Sequence, residues 1–149
     1  MTIETKNNEF DHFSSLSGDW WSKNGKFKVL HDIQPIRMKY IQETLKNDLS
    51  NTKILDVGCG GGIVSEGIAK IGAIVTGIDF VKANIEVAKK HSKKNNLKIS
   101  YIVKDFEKDK INNKFDAIII FEVLEHLDDW EKFLINIRAN LKKNGVLMI

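Results

Sequence analysis

The chain has 149 residues, of which 42% are hydrophobic and 29% are charged, so a single soluble domain with a buried core is expected. Its 23 basic and 20 acidic residues leave a net charge of +3, which is too small to favour a nucleic-acid partner. Cys59 is the only cysteine, which excludes an internal disulfide and favours a reducing compartment. No apolar run approaches the ~18 residues of a membrane span, and residues 1–8 lack the apolar core of a signal peptide. A cytoplasmic protein is therefore predicted.

Residues 1–50 are predicted to form an N-terminal helical extension. An aromatic stripe with largely helical spacing runs through residues 8–21 and consists of Phe10, Phe13, Leu16, Trp20 and Trp21. We interpret it either as a packing face or as a mobile lid over the main domain. A helix is predicted from Pro35 to Leu49, because proline suits the first turn of a helix. That helix should bury Ile36, Tyr40, Ile41, Leu45 and Leu49.

Residues 51–149 are predicted to form a Rossmann-like α/β domain, because strands and helices alternate along them. Such alternation favours a mostly parallel sheet with helices on both faces. The predicted strands are 53–57, 73–78, 99–103, 115–121 and 145–149, and the predicted helices are 62–71, 81–95 and 128–142. No helix follows the last strand to cover it, so we expect an incomplete sheet and a fragment or shortened reading frame.

The segment 54–63 is expected to organise this domain, because four glycines within five residues separate a buried strand from a helix. Such a turn brings backbone close to a nucleotide-like ligand, although it could also be a glycine-rich turn without a ligand. Gly58 and Gly60 fit the start of the dinucleotide fingerprint, but Ile63 stands where its third small residue belongs. With Asp56 two residues before Gly58, the pattern resembles motif I of class I S-adenosylmethionine-dependent methyltransferases. An acid near the turn suits the ammonium and sulfonium charges of the cofactor that this resemblance implies.

Two further carboxylates end the next strands. Asp79 follows Gly58 by 21 residues, where an acid can accept hydrogen bonds from both ribose hydroxyls. Asp79 can also cap helix 81–95 without giving up that role. Asp105 ends the third strand and is interpreted either as a partner of the adenine amino group or as a turn residue. Phe106 beside it would pack on the adenine or fill the core.

An acid–histidine cluster follows the fourth strand. Glu122, Glu125 and His126 have i, i+3 and i+4 spacing, which one helical turn would place on one face. Two carboxylates and an imidazole favour either an acid–base site or a site for Mg²⁺ or Mn²⁺. Either would help to deprotonate a phenol, whose pKa near ~10 leaves little phenolate at neutral pH. The alternative is that both glutamates cap the next helix while the histidine packs under the sheet.

Five segments together resemble the ubiquinone-biosynthesis O-methyltransferase family: 20–31, 34–41, 55–62, 75–79 and 122–126. This resemblance implies methyl transfer from S-adenosylmethionine to polyprenyl catechol or demethylubiquinol-type phenols. It implies that the cofactor contacts Arg37, Gly58, Asp79 and Phe121, with Arg37 on the methionine carboxylate. It also implies that Mg²⁺ binds Glu122, Glu125 and His126. Peripheral contact with the inner face of the membrane and a ubiquinone-biosynthesis complex are implied partners.

Three rival interpretations remain. The chain could be a cofactor-binding remnant without activity, or an O-methyltransferase of another small phenol. A nicotinamide-dependent dehydrogenase is disfavoured by Ile63 and Asp56. Phe121 departs from the methionine common in some relatives, although a backbone contact to the cofactor would not depend on its side chain.

Overall fold

The fold is a parallel sheet covered by helices, in a computed structural model that describes residues 17–46 and 48–149. Within these ranges the strands are β1 (Lys53–Val57), β2 (Ile74–Asp79), β3 (Ile99–Val103), β4 (Phe115–Ile119) and β5 (Leu141–Met148). The α-helices are α1 (Lys28–Thr44), α2 (Ile63–Lys70), α3 (Lys82–Lys94) and α4 (Trp130–Arg138). Short 3₁₀ helices span Ser17–Asp19 and Leu124–His126. The predicted α/β class is confirmed.

The strand order β3-β2-β1-β4-β5 places the first strand in the middle of the sheet. All pairings are parallel, so the carboxyl ends of the strands lie along one edge. The chain runs outwards from β1 through β2 to β3 and then returns to form β4 on the other side of β1. In open α/β sheets a ligand crevice opens where the order reverses in this way.

Alternation along the central strand divides the core into two layers. Ile54 of β1 contributes to a cluster with residues of α1 and α2, and α3 packs on the same face against Tyr101. Leu55 and Val57 contribute to the opposite cluster, which α4 covers through Phe133. The apolar residues of β1 are buried on both faces, as a central parallel strand requires.

The first helix differs from the prediction. It begins at Lys28 rather than at Pro35, which lies inside it. Phe27 and Leu30 at its start pack in a cluster with Trp20 and Ile63, and this tertiary packing extends the helix beyond the proline signal. The predicted buried face is only partly right.

Ile41 and Leu49 are buried and Leu45 packs against the core, whereas Ile36 and Tyr40 are 71% and 47% exposed. The remainder of the predicted aromatic stripe, Phe10, Phe13 and Leu16, lies outside the described residues. The division at residue 50 stays a prediction. None of the described helices has the length and apolar character that a membrane-spanning segment needs.

The last elements also differ from their predicted bounds. The predicted helix 128–142 is shorter as α4, and β5 begins at Leu141 rather than at 145. The side chain of Asn140 donates to the carbonyls of Ile111 and Asn113, and the Asn140 carbonyl accepts from the Phe115 N–H. These bonds tie the chain to the sheet immediately after the helix. The predicted strand 115–121 ends at Ile119.

Candidate functional site

A cavity of about 360 Å³ opens at the carboxyl edge of the sheet, beside the crevice between β1 and β4. The structure brings all of the predicted cofactor-binding residues to its lining: Arg37, Asp56, Gly58, Gly60, Asp79, Asp105 and Phe121. They come from α1 and from the ends of four successive strands. Residues far apart in the sequence therefore meet at the edge where the topology predicts a ligand.

The glycine turn is held between a strand and a tryptophan. The Cys59 N–H donates to the Ile78 carbonyl at 3.0 Å, which fixes the turn to β2. Gly60 has φ +52°, and a Cβ at this position would lie 2.3 Å from the ring of Trp20. The same ring would clash with a Cβ on Gly61. Close approach of an indole, and not only of a ligand, thus requires glycine here.

Asp79 is buried at the end of β2, and backbone donors hold its carboxylate in place. Its Oδ2 accepts from the Gly60 N–H at 2.9 Å, and its Oδ1 accepts from the Val81 N–H at 2.8 Å. Burial raises the pKa of the Asp79 carboxyl, although these two hydrogen bonds oppose the shift. The Asn84 side-chain amide donates a third, longer hydrogen bond to Oδ1 at 3.5 Å, so one acceptor position remains on Oδ2 towards the cavity. The predicted capping role of Asp79 is wrong, because the N-cap of α3 is Val81 and no side chain caps this helix; at the start of α3, Asp79 binds only the Val81 N–H just before it.

Asp56 is almost completely buried beneath the glycine turn. Its Oδ2 accepts a hydrogen bond from the Ser65 hydroxyl at 2.6 Å. Burial raises the pKa of the Asp56 carboxyl to about 7, and the nearby Asp79 charge adds to this effect. The Ser65 hydrogen bond and the Arg37 charge act in the opposite direction. A cation entering the cavity would favour the ionised form of this carboxyl.

Asp105 lies in a turn after β3 and lines the cavity. Its Oδ1 accepts from the Glu107 N–H, and its Oδ2 pairs with the Lys108 ammonium at 2.9 Å. The turn-residue interpretation is therefore confirmed, and the adenine interpretation stays a prediction. Phe106 packs between Phe80 and Phe133, with ring centroids 6.2 and 5.7 Å away, and the rings of Phe80 and Phe106 both line the cavity.

Arg37 reaches the cavity from α1 and pairs with Glu122 after β4. The guanidinium Nη2 donates to the Glu122 Oε1, and its Cζ lies 5.1 Å from the centroid of the Phe121 ring. The Arg37 side chain is 14% exposed, whereas that of Glu122 is 58% exposed. A cation is therefore held in the cavity wall by one carboxylate and one aromatic ring.

The predicted placement of Glu122, Glu125 and His126 on one helical turn is wrong. Glu122 has φ +56° and precedes the 3₁₀ helix that contains the other two residues. This left-handed turn brings Val123 onto Gly58, where a Cβ would lie 2.4 Å from the valine side chain. Packing of Val123 thus overrides the helical spacing.

The three side chains do not line one pocket together as a result. Glu122 and His126 line the cavity, whereas Glu125 lines a neighbouring groove that Glu122 also borders. Within residues 17–46 and 48–149, no three His, Cys, Asp or Glu side chains form a group that could hold a metal ion. The residues as arranged do not fit the predicted Mg²⁺ site, because the carboxylate of Glu122 is engaged by Arg37.

Sequence reasoning missed three residues of the site. Trp20 stacks on Phe27 at 3.8 Å between centroids, and its indole N–H donates to the Asn84 Oδ1 at 2.8 Å. The Asn84 amide lies 3.5 Å from the Asp79 Oδ1. Phe80 follows the strand-ending acid directly, which is a signal that could have identified it. Trp20 belongs to the aromatic stripe that predicts a packing face or a lid, whereas Asn84 carries no local signal.

A second tryptophan fastens the glycine turn from outside the cavity. The Trp21 indole N–H donates to the Gly61 carbonyl at 2.9 Å, and the ring stacks on His91 with 3.5 Å between centroids. The His91 Nδ1 lies 2.7 Å from an oxygen of the fully buried Glu66. The turn is thereby joined to both α2 and α3.

The sequence matches the family model described as a methyltransferase domain over residues 55–149. The chain belongs to this family. The match begins in β1 and includes the glycine turn, Asp79, Asp105 and the acid–histidine segment.

More specific similarity is to ubiquinone biosynthesis O-methyltransferases. The protein of that name from Pelagibacter ubique is 47% identical over 150 residues, which cover 95% of this chain and 62% of the relative. The one from Histophilus somni is 46% identical over 145 residues, covering 93% of this chain and 60% of the relative. The chain therefore spans about three fifths of the length of these curated relatives.

Solved structures confirm the fold. A putative S-adenosyl-L-methionine-dependent methyltransferase from Methanococcus maripaludis superposes with a TM-score of 0.76 at 20% identity, covering 93% of this chain and 62% of its own. Magnesium protoporphyrin IX methyltransferase from Synechocystis, with bound SAM, gives a TM-score of 0.74 at 20% identity over 95% of this chain and 74% of its own. The predicted Rossmann-like methyltransferase architecture is thus confirmed.

Proposed function

We propose that this chain binds S-adenosylmethionine in the cavity and that the whole protein is an O-methyltransferase of ubiquinone biosynthesis. The observation that carries the proposal is the position of Asp79. It is a buried carboxylate fixed by the Gly60 and Val81 N–H groups, and it lines the cavity at the end of β2. One ribose hydroxyl would donate to the acceptor position left on Oδ2, and the second would donate to Oδ1 in place of the long Asn84 hydrogen bond.

The charges around the cavity match the remainder of the ligand. Asp56 would face the ammonium group, because it is the buried carboxylate beneath the turn. Arg37 would bind the methionine carboxylate, as a guanidinium in the cavity wall suits a carboxylate in bidentate geometry. Phe80 and Phe106 offer apolar surface for the adenine, and Asp105 would accept from its amino group.

S-Adenosylmethionine supplies a methyl group on a positively charged sulfur. The protein contributes mainly position, because holding two reactants in line converts a bimolecular step into an effectively unimolecular one. His126 lines the same cavity and is our candidate for accepting the proton of the acceptor hydroxyl, and Glu122, which also lines the cavity, is a second candidate. No step is assigned to Mg²⁺, since the side chains do not form its site.

The acceptor class rests on the named relatives and on the segments shared with their family. We propose a polyprenyl catechol or demethylubiquinol-type phenol as the substrate. A substrate with a polyprenyl tail resides in a bilayer, so we propose that the protein is cytoplasmic and contacts the membrane peripherally. A complex with other proteins of ubiquinone biosynthesis is also proposed, from the family resemblance. Methylation of another small phenol, or cofactor binding without activity, are the alternatives that an assay separates.

Calorimetric titration of the chain with S-adenosylmethionine tests cofactor binding. Asp79→Asn should weaken binding by roughly 2–4 kcal/mol, as expected when a buried charged acceptor is lost. Asp116→Asn is a matched control, because Asp116 is also a strand carboxylate that accepts a backbone N–H, from Lys53. Equal affinities for wild type and Asp79→Asn would refute the ribose assignment.

Transfer of a labelled methyl group to a demethylubiquinol analogue tests the reaction. Product formation supports the O-methyltransferase assignment. Methylation of simple catechols but not of the prenylated analogue would favour the small-phenol alternative. Cofactor binding without any product would favour the binding-only alternative.

A further inference from the structure

The ion pair between Arg37 and Glu122 joins two elements that are 85 positions apart in the sequence. Arg37 belongs to α1, and Glu122 lies in the left-handed turn after β4. The two partners are unequally buried, since the arginine side chain is 14% exposed and the glutamate side chain 58% exposed. The Phe121 ring lies against the guanidinium and holds it independently of the glutamate.

The pair lies where two cavities meet. Both partners line the 360 Å³ cavity that contains the glycine turn, and both line an adjoining groove of about 370 Å³. The groove is also bounded by Ile36, Tyr40 and Glu125. Lys108, another cation of the first cavity, is exposed and already pairs with Asp105. A carboxylate entering the first cavity therefore meets Arg37 as its partly buried cationic partner.

We infer that Glu122 is an internal competitor for the carboxylate-binding position on Arg37. In the ligand-free protein the Glu122 carboxylate is bound to the guanidinium of Arg37. A ligand carboxylate takes its place, and Glu122 rotates towards the adjoining groove. The inference rests on the proposed function, because it assigns the arginine to the amino-acid end of S-adenosylmethionine.

The unequal burial determines which partner moves. Glu122 is more than half exposed, so its released carboxylate regains solvation at little cost. Arg37 is held by the aromatic ring and by its helix and stays in the wall. The exchange replaces one carboxylate by another on the same guanidinium, so the cavity keeps its charge balance. Glu122 consequently sets the affinity for ligands that carry a carboxylate and is indifferent to ligands that lack one.

The exchange also links the two cavities. While Glu122 pairs with Arg37, its carboxylate is withheld from the groove lined by Ile36 and Tyr40. After the exchange it faces the groove that Glu125 also lines.

Two ligands that differ at the amino-acid end test the inference. S-Adenosylhomocysteine has the ammonium and carboxylate groups, whereas 5′-methylthioadenosine has the nucleoside without them. Glu122→Gln should bind S-adenosylhomocysteine about fivefold more tightly than wild type, which is the upper range for a largely exposed ion pair. Its affinity for 5′-methylthioadenosine should not change. Glu86→Gln is the matched control, because it breaks an exposed ion pair with Lys82 outside both cavities, and it should alter neither affinity.

The possible outcomes distinguish the competitor role of Glu122 from the proposed function of the protein. An unchanged or weakened affinity of Glu122→Gln for S-adenosylhomocysteine, or an equal gain for both ligands, overturns the competitor role while leaving the proposed function intact. Binding of neither ligand to wild type overturns the proposed function together with the inference. Glu122→Ala provides a second variant that should shift affinity in the same direction, and thermal unfolding confirms that each variant is folded.

Discussion

The buried carboxyl of Asp56 predicts that cofactor affinity depends on pH near neutrality. Burial raises its pKa to about 7 in the ligand-free protein. A ligand ammonium binds the ionised form, so binding at low pH must first remove the proton. The ionised fraction rises from about one tenth at pH 6 to one half at pH 7, which predicts about fivefold tighter binding at pH 7.

The titration should remain below the pKa of the ligand's own amino group, which is about 7.7–8.0 for an α-amine. Calorimetry at several pH values between 5.5 and 7.5, in buffers of different ionisation enthalpy, would measure the affinity and the number of protons released. About one proton should leave on binding at pH 6 and fewer at pH 7.5. Affinity that is constant or falls as the pH rises over this range would refute the assignment of Asp56 to the ammonium.

Two variants distinguish the titration of Asp56 from that of other groups as the cause of the pH dependence. Asp56→Asn should bind more weakly and lose the pH dependence, because an amide does not ionise here. Ser65→Ala removes the hydrogen bond that opposes the raised pKa, so the same pH response should move to higher pH. The pH dependence of binding is therefore lost in one variant and moved to higher pH in the other. A general loss of stability would not produce both results.

The remaining predictions concern stability. In Gly60→Ala, a Cβ 2.3 Å from the Trp20 ring should destabilise the protein by about 1–3 kcal/mol in urea unfolding; Gly18→Ala has open space and should be nearly neutral, so equal effects would count against the close packing. Glu66→Ala removes a fully buried carboxylate that contacts His91, Lys70 and Asn95. No buried charge is left unpaired, because His91 and Lys70 are 26% and 54% exposed, so the variant should cost about 1–3 kcal/mol; a cost below ~0.5 kcal/mol would show that these contacts are dispensable.

Local patterns in the sequence were sufficient to predict most of the sheet. The strands 53–57 and 99–103 have the predicted bounds, because short apolar runs with abrupt ends are typical of strands, whether buried as β1 is or at the sheet edge as β3 is. Asp79 was predictable as a site residue, since the carboxyl ends of parallel strands meet at one edge. The order of the strands then places residues that follow four of them around one cavity, so no other feature of the sequence is needed to predict this grouping.

Features that depend on tertiary packing were not predictable from the same patterns. Helical spacing grouped Glu122, Glu125 and His126 on one turn, but Glu122 lies in a left-handed turn before the 3₁₀ helix, where Val123 packs on Gly58. Pro35 marks a helix start by local rules, whereas α1 begins earlier because Phe27 stacks on Trp20. In each case a contact distant in the sequence outweighs the local signal.

The contact of the glycine turn with two indoles makes its occupancy optically observable. The chain has three tryptophans, and the third, Trp130, is 48% exposed on the helix that covers the opposite face of the sheet. Trp130→Phe would leave emission only from Trp20, which lies over Gly60, and Trp21, which is hydrogen-bonded to Gly61. Stopped-flow fluorescence on this variant would follow ligand entry on the millisecond scale without a label. The rate constant for ligand association at the glycine turn can therefore be measured.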